Sequence, residues 1–406
     1  DLSDWQTYGM TPTASGKTYM AYRFNFGQDS SFAGNHATAN SNADGNGHGS
    51  FAYAPPSGYL ALCSQNLPTP DIIDGTENFN TVLYTGNAGT QSITGVGFDP
   101  DFTWAKNRAS ASYHHELYDT VRGDNKRVFS SQTDAEATGY LQFISDGFSL
   151  TAGGGINANS NNHVAWNWKA GTAFSNDASA TGVGTIDSEG QINTTAGFAI
   201  LKWAGTGSNG TIAHGLNAAP ELIIVKNRGE TDEWPVLETV ANGATHYLRL
   251  NGNYASTSTS VMWNNTAPTS SVFSLGTYEY VNASGENYIS YIFHSVEGYS
   301  KVGSFLGNGN ADGTFVYTGM AVSWLMVKRT DSTGNWAIYD KTRDTTNVMG
   351  SELFANLSNA EQSNSSDIDF LSNGFKMRRN YSENNSSGSY IYLAFAEQPQ
   401  KFSNAR

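Results

Sequence analysis

Three lysines precede three acids at nearly one spacing. Lys106 is followed by Asp119, Lys226 by Glu238 and Lys328 by Asp340, at separations of 13, 12 and 12 residues. That spacing suits neighbouring strands of a hairpin with a medium loop. Strand-to-strand ion pairs Lys106–Asp119, Lys226–Glu238 and Lys328–Asp340 are therefore expected, a structural role worth at most ~1 kcal/mol each if exposed. Near the acids stand Trp234 and Trp336, with His115 at that place in the first instance, and Tyr118 and Tyr339. An exposed ring stacks on a sugar face while Asn and Asp bond its hydroxyls, so these five residues are candidate glycan contacts. The competing reading is packing, because an aromatic recurring at a strand start usually faces a core.

Other patterns point to less. Asn42, Asp44, Asn46 and Gly47 follow the opening of a calcium loop, as do Asn308, Asn310, Asp312 and Gly313, but the twelfth positions are Tyr53 and Gly319 instead of Glu. Both read as Gly-rich turns, and no metal or cofactor is expected. His114 and His115 are adjacent, so on a strand they face opposite ways and cannot chelate one ion. Arg122, Gly123 and Asp124 spell an adhesive tripeptide, yet the matching Arg343 and Asp344 make a turn the better explanation. No nucleophile elbow, phosphate loop or HExxH segment occurs, and no carboxylate pair stands out, so the chain is not expected to be an enzyme.

The elements that must hold these residues recur three times. A Gly-rich lead (YTGNAGTQSITGVGFDP, WAGTGSNGTIAHGLNAAP, FLGNGNADGTFVYTGM) runs into FTWAKNR, LIIVKNR or WLMVKRT. Then come HELYDTVRG, WPVLETVAN or WAIYDKTRD, later a segment centred on Phe148, Phe273 or Phe375, and finally HVAWNWK, YISYIFH or YIYLAFA. Lys106 and Lys226 are 120 residues apart and Phe148 and Phe273 are 125, while both matching later offsets are 102. Ordered landmarks at matched spacing mark an internal repeat. Every second residue of the closing segments is apolar: Val164, Trp166, Trp168; Ile289, Tyr291, Phe293; Ile391, Leu393, Phe395. That alternation is a strand with a face on a core. The lysine-ended segments are apolar on both faces and read as central strands.

The chain has 406 residues, of which 14% are charged, with 43 glycines and a mean hydropathy of -0.43. Composition and repeats predict an all-β chain with little helix, built of antiparallel, jelly-roll-like β-sandwiches in series, giving an elongated molecule without one compact core. The expected divisions are a partial region and linker over 1–75, then sandwiches over 76–180, 194–298 and 299–406. A linker is expected at 181–195 and a helix at 351–362. TYMAYRF, with Met20, Tyr22 and Phe24 on one face, echoes a closing strand. A net charge of -14 disfavours nucleic acid and anionic membranes, and no stretch is long enough for a membrane span. The single cysteine, Cys63, reads as a buried small hydrophobe. Residue 1 lacks an initiator Met and is expected to be a cut or processed end.

FNFGQDSSFAG followed by GNGHGSFAYAPPSGYLALCSQNLPTP resembles the exit of the SPRY/concanavalin-like sandwich in structural proteins of tailed phages, especially marine ones. The repeats, with VLYTGNAGTQSITGVGFDPDFTWAKNR, DGFSL and VAWNWKAG, resemble an uncharacterised domain that accompanies it, and FAEQPQKFSNAR is similar to the C-terminus of those proteins. The resemblance spans nearly the whole chain and brings no catalytic residues. It implies a component of the virion surface, a tail or side fibre adhering to host glycans. Open strand edges favour self-association as a homotrimer, alongside other virion proteins. The alternatives are a ligand-free shaft or capsid decoration protein and, from another class, a polysaccharide depolymerase.

Overall fold

Each lysine-ended segment is a fully paired central strand, as its two apolar faces require. In the computed structural model, which describes residues 42–49, 54–61, 66, 70–363 and 367–396, the chain divides into units 1–69 and 70–406. In the first repeat Phe102–Asn107 lies between Asn162–Trp168 and Glu116–Asp119, with Phe79–Thr85 beyond the closing strand. The second repeat orders Phe198–Ala204, Asn287–Phe293, Leu222–Asn227 and Pro235–Glu238 in the same way. The third does so with Ser300–Gly307, Gly388–Ala396, Val322–Arg329 and Ala337–Asp340. All these pairings are antiparallel. A smaller sheet, built around Gly147–Leu150, Val272–Leu275 or Gly374–Met377, covers one face of each large sheet. The fold is all-β, as expected.

The faces of the central strands go to different cores. Ile223 and Val225 pack under the second repeat's small sheet, and Leu325 and Val327 under the third's. Leu222, Ile224, Trp324 and Met326 point the other way, into a cluster that also holds Phe102 and Trp104 of the first repeat. All nine alternating residues of the closing strands enter that cluster, Val164, Ile289 and Ile391 among them. Rings from different repeats meet there: Phe102 stacks on Tyr291 at 4.2 Å and Phe79 on Phe395 at 4.9 Å. The residual void at the centre is about 10 Å³, at the lower limit for a water molecule. The expectation of modules strung in series is thus corrected: the three sandwiches close around one shared apolar core. The physical reason is that each large sheet is apolar on both faces, and its small sheet covers only one of them.

Two local expectations also change. The supposed linker contains a strand, Ser188–Asn193, which with Thr172–Asn176 extends the second repeat's large sheet and buries part of Phe174 and Ile192. Residues 351–362 form no helix. Leu353 and Phe354 are a short strand whose side chains enter the shared core and the third repeat's own core, an alternation that only extended backbone allows. The TYMAYRF echo, Cys63 and the C-terminal segment from 397 lie outside the described residues.

Candidate functional site

The five aromatic candidates are closed to a glycan. Trp234, Trp336, His115, Tyr118 and Tyr339 are all at most 1% exposed. The first three hold the seams between repeats. Trp234 Nε1 donates to Gln132 O of the first repeat at 3.0 Å, and Trp336 Nε1 donates to Arg249 O of the second at 2.8 Å. His115 accepts at Nδ1 from Trp104 Nε1 at 2.9 Å and faces Phe354 of the third repeat; burial, reinforced by Lys106, holds its pKa well below the usual range. Tyr118 and Tyr339 donate to Glu116 and Glu352 at 2.5 Å. The shared core takes in Trp234 and Trp336, while Tyr118 and Tyr339 are buried in the first and third repeats' own cores.

The lysine–acid pairs do not form either. Strand register sets Asp119 opposite Phe102, Glu238 opposite Leu222 and Asp340 opposite Trp324, each four residues short of the lysine, or about 13 Å at strand rise. The hairpins are real, but each lysine and its acid sit at opposite ends. Lys106 Nζ instead bonds the carbonyls of Asn107, Tyr113 and Ser358, and Lys226 Nζ those of Thr133, Glu230 and Asp232. Lys328 Nζ reaches Arg329 O at 2.5 Å. Burial pulls Lys106 and Lys226 down to about 8 and Lys328 to about 7. The acids cap the turns that follow them. Asp119 and Asp340 also pair with buried Arg122 and Arg343, and Glu238 accepts three backbone N–H groups. The D-x-x-R spacing in DTVR and DKTR carried that signal. Arg122 is consumed there, so the tripeptide is a turn and not a presented motif.

The seams run in one sense around the ring. Arg108 of the first repeat forks onto Glu361 of the third, and Arg228 of the second onto Glu136 of the first. At the aligned place between third and second, Thr330 O accepts from Ser256 N–H at 2.8 Å.

In the described part of the two calcium-like loops the acids have other partners. Asp44 accepts from Asn46, His48, Ala61 and Asn66, while Asp312 pairs with Lys376 at 2.6 Å. Among the described residues no group of three or more His, Cys, Asp or Glu side chains could hold a metal.

An open site does occur where the repeats differ. From Phe148, Phe273 and Phe375 to the matching closing-strand residues Val164, Ile289 and Ile391 the distance is 16 residues in every case, so the intervening loops align without gaps. Gly153, Gly154 and Gly155 match Tyr278, Glu279 and Tyr280 in the second repeat and Asn380, Tyr381 and Ser382 in the third. Beside the glycines is a cleft of about 500 Å³, lined by Tyr113, His114, Glu116, Arg127, Phe129 and Tyr140. The Tyr140 ring lies so close to Gly154 that a Cβ there would come within 2.4 Å of it, and Gly154 has φ +81°, so this backbone suits glycine. Arg127 gives Nη1 to Glu116 at 3.0 Å and lies 4.9 Å from the Phe129 ring centre and 5.0 Å from that of Tyr140. Burial opposes its charge, but Glu116 more than restores it and the guanidinium stays protonated. The Tyr113 and Tyr140 hydroxyls have no hydrogen-bond partner among the described residues. The sequence signal for this site was the glycine triplet set against Tyr-Glu-Tyr at equal loop length.

The fold of residues 70–406 is a ring of three antiparallel β-sandwiches, with an open aromatic cleft in its first member. The chain belongs to the DUF7483 family, a domain of unknown function, whose family model matches residues 74–399 and so takes in all three repeats. No curated protein matches it.

Proposed function

We propose that this chain is a structural protein of a tailed-phage virion, part of a tail or side fibre that adheres to host-surface glycans through the first repeat. The observation that carries the adhesive reading is the cleft walled by Tyr113, Phe129 and Tyr140, with two unspent phenol hydroxyls beside the Arg127–Glu116 pair. Rings that offer faces and hydroxyls that lack partners are what a sugar needs. The virion setting rests on the resemblance of the repeats and of the N-terminal run. A single weak site per chain gains strength from copies, so the expected homotrimer, together with other virion proteins, supplies avidity by effective concentration. No reaction is assigned to the cleft.

A glycan array probed with the purified chain tests the reading. Binding to a defined set of host glycans without loss of the printed sugar is the expected outcome. Silence from a folded sample favours a shaft or decoration protein, and release of reducing ends favours a depolymerase.

A further inference from the structure

The three repeats serve as each other's controls at the cleft. In the third repeat Tyr381, aligned with Gly154, sends its ring toward Glu352, to which its hydroxyl donates at 3.4 Å, and Arg379 lies 3.8 Å from that ring's centre. Glu352 and Leu353 align with Arg127 and Val128, because Leu353 pairs with Ile338 as Val128 bridges Leu117. In the second repeat the same stretch of loop brings in Tyr278 and Tyr280, packed edge to face at 4.8 Å. In the first repeat the place beside Gly154 is taken instead by the ring of Tyr140, which a Cβ there would meet at 2.4 Å, so the glycine triplet seats Tyr140 and the cleft opens beside that ring.

The electrostatics of the space are balanced. Arg127 and Glu116 neutralise each other at 3.0 Å. His114 bonds Ser131 Oγ through Nδ1 at 2.9 Å, and burial with Lys106 nearby lowers its pKa, so it adds no charge at neutral pH. The chain as a whole carries -14. An anionic sugar would meet Glu116 and the field of the whole chain, with no unpaired cation among the cleft residues named above to receive it.

We propose, building on the glycan reading above, that the cleft of the first repeat, about 500 Å³ in volume, takes a neutral pyranose against Tyr113, Phe129 and Tyr140. The two phenol hydroxyls supply hydrogen bonds to ring hydroxyls, and the aromatic walls supply the stacking surface.

The test is calorimetric titration of the full chain with neutral methyl pyranosides and oligosaccharides, and with uronic-acid and sulfated counterparts, at low and high salt. Neutral sugars are expected to bind with an affinity indifferent to salt. Tyr140→Phe and Tyr113→Phe, which delete one hydroxyl each and keep the ring, are expected to weaken binding about three- to tenfold while the thermal melt stays that of the wild type. Binding of anionic sugars alone, with affinity falling as salt rises, overturns the neutral assignment and leaves glycan adhesion standing. Neutral sugars that bind both variants and Tyr113→Ala as well as they bind the wild type overturn the location. No binding of any sugar, by a sample that melts cooperatively, overturns the glycan reading itself.

Discussion

Glu352 shows what burial does to one side chain in this fold. It is 1% exposed, accepts from Tyr339 and Tyr381, and burial pushes its pKa up to about 8, with Asp367 and Glu383 adding to the rise. In the unfolded chain the same carboxyl ionises near 4.5. The folded state therefore holds the proton more tightly, and the stability tied to it is full below about pH 4.5 and is lost as pH rises to about 8. Glu352→Gln keeps an acceptor for Tyr339 and removes the ionisation. It is expected to stabilise the protein by about 2 kcal/mol at pH 8 and by almost nothing at pH 4.5, read from thermal melts across that range. A gain independent of pH would mean that Glu352 is not the titrating group. The three lysines illustrate the complementary limit of reading residues by spacing. Their distance from the acids along the chain was right for a hairpin, but only the register shows that the paired ends are the other ones.

At the scale of elements, the Gly-rich leads are explained by contact as much as by turning. Gly86, Gly205 and Gly307 occupy the same place at the end of each first strand, and a Cβ on any of them would lie 2.2 Å from a backbone carbonyl, of Ala158, Ala283 or Ser386. Buried Asn157, Asn282 and Asn385 pin the same loops, each accepting from one lead residue and donating to the carbonyl two residues on. Gly205→Ala is expected to cost about 2–4 kcal/mol, because the obstructing atom is backbone and must move as a unit. Denaturant titration measures it, and a loss below about 0.5 kcal/mol, the level of an ordinary surface change, would contradict the close approach. Residues 351–362 show the opposite side of local reading. Their Leu, Ala and Glu favour a helix in isolation, yet pairing with Ala337 and Ile338 lets Leu353 and Phe354 fill two cores at once.

For the whole molecule, the shared core makes the repeats depend on one another. Cut out over 172–298, the second repeat would expose Phe198, Leu222, Ile224, Tyr291 and Phe293 on one face of its sheet. Such a fragment is expected to bind hydrophobic dyes, aggregate and lack a cooperative melt, whereas residues 70–406 unfold in a single calorimetric transition. A soluble, cooperatively melting fragment would show that each sandwich stands alone. The seams add direction to that dependence. The carbonyl partners of Lys106 and Lys226 and the acids that receive Arg108 and Arg228 come in part from the neighbouring repeat.

What the sequence determined by itself was the unit: its strands, their order along the chain, which residues alternate inward, and that it occurs three times. Those properties are periodic and local, so they survive in one dimension. The tertiary structure decided what the inward residues face. Alternation distinguishes the two sides of a strand but does not say whether the second side meets a partner sheet, a neighbouring repeat or water, and that choice buried Trp234 and Trp336 and left Tyr113 and Tyr140 open.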